Sequence, residues 1–334
     1  MDVSLVLKIY YGKQYKDSMQ TMKTALKKLS VKQNSTDCTS IFWNGRNCAI
    51  SNFTLKLNEN CYAWAVCAPL DIEKSYLFLM CYAPQSIQEL SEQFIISTLN
   101  SLYMNENYKN SKGIIASMAF ERKKTLCAKK NIQGKEFSYT LGDEDLEGGI
   151  FVTELEYSVL YLYREHKLWK EAWQRFYRQI YKDSYERLLD FSKNFYETFY
   201  PKAKEINAEN PDIAYAQLVL DWVQTMDYKR AKDTRETDFT SMVEILYGIG
   251  SDCDSRSMMT AILLNYAEIE TIMLVSPTYS HAMVAVLNNA PGQKYTLSEN
   301  GKKYLYGETT ANVTWGMIAQ DFSDSREWIP ITFN

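Results

Sequence analysis

Residues 250–257 read Gly250-Ser251-Asp252-Cys253-Asp254-Ser255-Arg256-Ser257, and the ten residues that follow, Met258 to Ala267, carry no charge. This is a glycine-containing loop running into an apolar helix. Three strand-like runs come next, at Thr271 to Ser276, Ala282 to Leu287 and Lys303 to Tyr306. A helix followed by short strands makes the C-terminal part, residues 205–334, an α+β domain.

The same stretch carries the candidate chemistry. A cysteine in the first turn of a helix faces unpaired backbone N–H groups and the positive end of the helix dipole, which favour thiolate over thiol. Those N–H groups can also stabilise the oxyanion formed when a thiolate attacks a carbonyl. Asp252 and Asp254 act against this, because like charge raises the thiol pKa unless their side chains turn away to cap the helix or bind Arg256. The chain has two histidines. His281 opens a strand from which it can reach Cys253 as its base, whereas His166 lies among Arg164, Glu165 and Lys167 and reads as a surface residue. Glu308 follows the third strand, where a carboxylate can accept the other imidazole N–H and fix the ring's tautomer and orientation.

Upstream, residues 1–145 alternate strand and helix signals and read as an α+β domain with an antiparallel sheet, able to fold as a separate unit. Val3 to Tyr11 is strand-like, and Met19, Met22, Leu26 and Leu29 recur at helical spacing. Asn44-Gly45 marks a hairpin, followed by strands at Tyr62 to Cys67 and Tyr76 to Tyr82. Ser86 and Glu89 form a capping-box pattern opening a helix through Leu102, and Gly113 to Phe120 reads as a further strand. Residues 146–204 form an aromatic-rich helical connector. Trp169, Trp173, Phe176, Tyr177 and Ile180 share one helix face, which reads as a packing stripe rather than a ligand platform. Asn210-Pro211 supplies a cap and a first-position proline for a helix over Asp212 to Met226.

Taken together, the run at 250–257, Ser280-His281-Ala282-Met283-Val284-Ala285-Val286 and Tyr306-Gly307-Glu308-Thr309-Thr310 resemble the transglutaminase-like superfamily, which has a papain-like cysteine proteinase fold. Segments at Trp222 to Tyr228 and Phe239 to Leu246 are also similar, and the resemblance covers roughly Asp212 to Phe322. It implies a catalytic triad of Cys253, His281 and Glu308. Two positions depart from the family pattern. Glu308 stands where aspartate is usual, and Phe239, which has no donor, falls near a Trp or Gln that helps hold the oxyanion in many members. The oxyanion would then rest on backbone N–H groups, chiefly that of Cys253.

The resemblance implies acyl transfer from an amide or peptide carbonyl through a thioester. Water completes hydrolysis, as in a protease or amidase; an amine completes cross-linking. Hydrolysis is favoured because nothing in the sequence identifies a second amine pocket. The alternative is a transglutaminase-like scaffold that binds protein partners without turnover. A protein or peptide substrate is expected, with no metal and no cofactor. The seven cysteines are odd in number and lack a C-x-x-C pair, which argues against a disulfide framework or a four-cysteine zinc site. With 37 Lys+Arg against 41 Asp+Glu there is no electrostatic footprint for nucleic acid or a membrane surface. No membrane span and no leader are read, which suits a cytoplasmic chain; an exported one with its leader removed would read the same.

Overall fold

A computed structural model describes residues 2–31, 36–230 and 237–333 of the protein, and the fold is α+β. Two compact units divide the chain, Met1–Glu121 and Arg122–Asn334. No helix among the described residues is long and apolar enough to cross a membrane.

The first unit comprises β1 (Ser4–Tyr11), α1 (Ser18–Lys28), β2 (Thr36–Trp43), β3 (Arg46–Lys56), β4 (Asn60–Pro69), β5 (Ser75–Pro84), α2 (Gln88–Asn100) and α3 (Ile114–Ala119). Its antiparallel sheet has the order β1-β5-β4-β3-β2. Asn44 and Gly45 turn β2 into β3 with φ of 49° and 71°, the doubly positive pair a two-residue hairpin needs. One sheet face packs Phe53, Ala65 and Phe78 with Met22 and Leu26 of α1, and the other packs Ile50, Val66 and Leu79 with Ile95, Leu99 and Ile114. Because both faces are covered, β4 and β5 read as nearly continuous apolar runs.

Two expectations fail in this unit. Residues 114–119 are helical, not a strand: Asn100 Oδ1 accepts the Ala116 N–H at 3.0 Å, and a Cβ on Gly113 would lie 2.0 Å from that oxygen. The β-branched Ile114 and Ile115 that suggested a strand are buried against α2 instead. The Ser86 capping box does not form, because Ser86 sits in a 3₁₀ turn, Gln85–Ile87, and α2 begins at Gln88 without a side-chain cap.

The second unit opens with the hairpin β6 (Thr125–Ile132) and β7 (Lys135–Gly142). Sequence reading assigned these residues to the N-terminal domain. Here Phe137 packs on Phe191 and Phe195, with ring centroids 5.5 and 6.1 Å apart, so the hairpin joins the second core. Then come α4 (Asp145–Leu162), α5 (Trp169–Arg187), α6 (Leu189–Ile206) and α7 (Pro211–Gln224). The stretch 146–204, read from sequence as a helical connector, lies in the same compact unit as the residues after it, and α5 and α6 share a core with α7. Buried Arg187 donates to Asp183 at 2.6 and 2.9 Å and to Asp145 at 2.9 Å, tying α5 to the start of α4. Asn210 caps α7 as its sequence predicts, accepting the Ile213 N–H at 3.3 Å.

The chain continues through α8 (Met242–Leu246) and α9 (Cys253–Tyr266) into β8 (Thr271–Ser276), β9 (His281–Leu287), β10 (Lys294–Thr296), β11 (Lys303–Gly307) and β12 (Ile329–Ile331). The five strands form an antiparallel sheet ordered β10-β11-β9-β8-β12. Helix α9 lies between this sheet and α5 to α7. Met258, Met259, Ala261, Ile262, Leu263 and Leu264 are fully buried, which is why its sequence is apolar all round. Its N-terminus is thereby held against the sheet.

Candidate active site

Cys253 is the first residue of α9. The N-cap is Asp252, whose Oδ1 accepts the Ser255 N–H at 2.9 Å while Ser255 Oγ accepts the Asp252 N–H at 2.9 Å. The preceding loop is pinned to 227–229: Ser251 N–H donates to Asp227 O at 3.0 Å and Lys229 N–H to Ser251 O at 2.7 Å. Buried Arg256 then joins three segments, donating to Ser251 Oγ at 2.8 Å, to Thr309 O at 3.0 Å and to Met226 O. These contacts hold the loop before Cys253, the end of α7 and the segment around Glu308 in one arrangement.

His281 and Glu308 come together because β9 pairs with β11 in the register Val284↔Gly307. His281 Nε2 lies 2.8 Å from Glu308 Oε2, and Oε1 of the same carboxylate accepts from Thr310 N–H and Oγ1 at 2.7 and 2.6 Å. Nδ1 is the ring nitrogen left for a reaction partner. The imidazole stacks on Phe322 at 5.0 Å and meets the edge of Trp328. The N–H of Ala282, next to His281, is near enough to the Cys253 sulfur to act on its pKa, which places the cysteine at the start of β9. The three residues singled out in the sequence thus converge. His166 is exposed and remote from them in function, accepting the Leu168 N–H on Nδ1.

The surroundings of Cys253 work against the thiolate expected from the helix end alone. Burial pushes Cys253 up, Asp254 and Asp252 add to this, and the Ala282 N–H opposes it. Asp254 does not turn away: its Oδ1 takes the Cys253 thiol hydrogen at 3.3 Å, and its Oδ2 takes the Tyr177 hydroxyl at 2.5 Å. Arg256 binds neither acid, being committed to the contacts above. Burial pushes Tyr228 up to about 12, and the nearby Cys253 adds to this. At Glu308 burial acts upward too, but the hydrogen bonds from His281 and Thr310 outweigh it and hold the carboxyl below its ordinary range.

A cavity of about 320 Å³ opens beside this cluster, with Asp254 and His281 in its wall together with Tyr157, Trp173, Phe176 and Phe239. The aromatic stripe of α5 is therefore mostly packing, with Trp173, Phe176 and Tyr177 doubling as cavity wall. Phe239 packs edge-on to Phe176 and Tyr177 and offers no donor. Gln224 is held on Glu308 O and Val313 O at 2.8 and 2.9 Å, which fixes the Glu308 segment. Tyr177, Tyr228, Phe322 and Trp328 were not singled out for this site from sequence, since each reaches it from a separate segment. No cluster of candidate metal ligands occurs among the described residues. Compared with known proteins, the chain matches no protein-family model and no curated protein.

Proposed function

We propose that this protein is a cysteine-dependent acyl-transfer enzyme of the transglutaminase-like type that hydrolyses an amide or peptide bond through a thioester. The observation that carries the reading is the His281–Glu308 contact of 2.8 Å, with Cys253 in the first turn of the helix that packs on the strand His281 opens. A carboxylate on one imidazole nitrogen orients the ring and stabilises the imidazolium that forms when the other takes a proton.

Cys253 begins as a neutral thiol, so His281 removes its proton during attack rather than beforehand. Sulfur bonds to the carbonyl carbon, and the oxyanion is met by the N–H groups of the first turn of α9. The imidazolium gives its proton to the departing amine. Water, deprotonated by the same ring, then cleaves the thioester and restores the thiol.

A second reading has its own support: a thiol held by Asp254 suits a module that keeps the fold without turnover, binding protein partners instead. Alkylation separates the two. Cys253 should react with iodoacetamide faster than exposed Cys127. Cys253→Ala should lose activity and selective labelling, and Cys127→Ala neither. Equal labelling of both thiols with no hydrolysis of a peptide library would leave the binding module.

A further inference from the structure

Three charged groups and one imidazole line the cavity beside Cys253, and they are unequally partnered. Arg230 pairs with Asp238 at 3.0 Å, and His281 pairs with Glu308. Asp254 is bonded only to neutral donors, the Cys253 thiol and the Tyr177 hydroxyl, and no lysine or arginine pairs with it among the described residues. A part-buried carboxylate bonded to no lysine or arginine among the described residues is costly, and burial pushes its carboxyl up, with His281 acting the other way. Aromatic faces line the space in front of it. A carboxylate in an aromatic-walled cavity is a setting for an ammonium group.

Distance narrows which ammonium. A carbonyl carbon poised for attack lies ~3–3.5 Å from the sulfur, and Asp254 Oδ1 lies 3.3 Å from that same sulfur. The α-ammonium of an amino acid is two covalent bonds from its own carbonyl carbon, so both groups fit around one sulfur. A side-chain ammonium is carried several bonds further away.

We propose that the substrate is the N-terminal residue of a peptide, with its α-ammonium bound by Asp254, its side chain in the aromatic cavity and its carbonyl facing Cys253. Asp254 is then a specificity-determining residue. This rests on the reading of Cys253 as a nucleophile and adds the substrate class to it. Binding has a chemical consequence as well. The ammonium replaces the thiol hydrogen on Asp254, freeing the thiol for His281, and it places positive charge beside the forming thiolate. The bonds balance without a further co-reactant. The S–H proton passes through His281 to the leaving nitrogen as the C–N bond breaks and the C–S bond forms. Water then breaks the C–S bond, releasing a free amino acid and the thiol.

The test uses the full chain and four thiol-directed probes: phenylalanine chloromethyl ketone with a free amine, its N-acetyl derivative, Nα-acetyl-lysine chloromethyl ketone, and iodoacetamide. Alkylation of Cys253 is followed by mass spectrometry. The free-amine probe should react about tenfold or more faster than the acetylated one, the size of one charge-assisted hydrogen bond. Asp254→Asn should bring that ratio to about one. Selective alkylation of Cys253 that ignores N-acetylation would overturn the proposal and leave the nucleophile standing. The proposal also falls if the preference survives Asp254→Asn, or if Nα-acetyl-lysine chloromethyl ketone matches the free-amine probe. No probe reacting faster at Cys253 than at Cys127 would instead overturn the nucleophile reading itself. The acetylation comparison needs only the wild-type protein, so a poorly folding variant does not block the test.

Discussion

His281 Nε2 and Glu308 Oε2 are 2.8 Å apart, and Thr310 holds the other carboxylate oxygen through both its N–H and its hydroxyl. The carboxylate is thus fixed at both ends, and its charge faces the imidazole. Glu308→Gln keeps the shape but removes the charge that stabilises imidazolium, so kcat should fall by on the order of 10³ to 10⁴ with the fold retained. Glu308→Asp keeps the charge with a shorter reach and should fall between wild type and Gln. A folded Gln variant as active as wild type would make Glu308 a turn residue.

Asp252 offers a test through pH. Its carboxyl is pushed well up, by burial first and then by Asp254. A carboxyl whose folded pKa exceeds its unfolded value favours folding most below the unfolded pKa, and that contribution is lost as pH rises through the folded pKa. Asparagine keeps the acceptor for the Ser255 N–H without the charge. Asp252→Asn should therefore be more stable than wild type near neutral pH, by on the order of 1 kcal/mol for each pKa unit relieved. The difference should vanish in acid. Urea unfolding at pH 7 and pH 3 measures it, and an equal effect at both would rule out the charge as the cause.

How much of this site can be read from the chain alone follows from how local each signal is. Cys253 announces itself by the cap and apolar helix around it, and His281 and Glu308 by the strands they begin and follow. The bond between Tyr177 and Asp254 spans 77 residues and has no local signature; Tyr177 looks like any aromatic on a packing face. Arg256 is similar, since its three partners sit on separate segments. The same limit explains residues 114–119, where two isoleucines suit a strand until Asn100 of α2 supplies the bond that holds a helix turn. It also explains the hairpin at 125–142, whose allegiance is decided by Phe191 and Phe195 far along the chain.

Gly307 precedes Glu308 and is covered by Trp315. An added Cβ would lie 2.4 Å from Trp315 Cζ3, a distance real Cβ contacts do not reach. The main chain behind the indole is fixed, because the backbone N–H of Trp315 donates to Gln217 Oε1 and that of Gly316 to Tyr306 O. Gly307→Ala should cost ~1–3 kcal/mol in thermal unfolding, as overpacking does. It should also lower kcat beyond the folded fraction lost, since any shift of β11 moves Glu308 away from His281. Normal activity per folded molecule would show that the strand end adapts without moving the carboxylate.

The boundary between the two units makes a last prediction about where the chain can be cut. The contacts divide it at Glu121 and Arg122, so a chain beginning at Arg122 should be soluble and should alkylate Cys253 at the full-length rate. A chain beginning at Gly149 lacks Phe137, Tyr139 and Leu141 from the core around Phe191, and lacks Asp145 opposite buried Arg187. Losing a buried aromatic costs ~3–5 kcal/mol, and a buried charge left without its partner costs a similar amount. Either loss is comparable with the ~5–15 kcal/mol of a whole domain. The shorter chain should therefore be unfolded or aggregated by circular dichroism and gel filtration. If it stayed folded with Cys253 selectively reactive, the hairpin would be an appendage, and the core of the second unit would begin within α4.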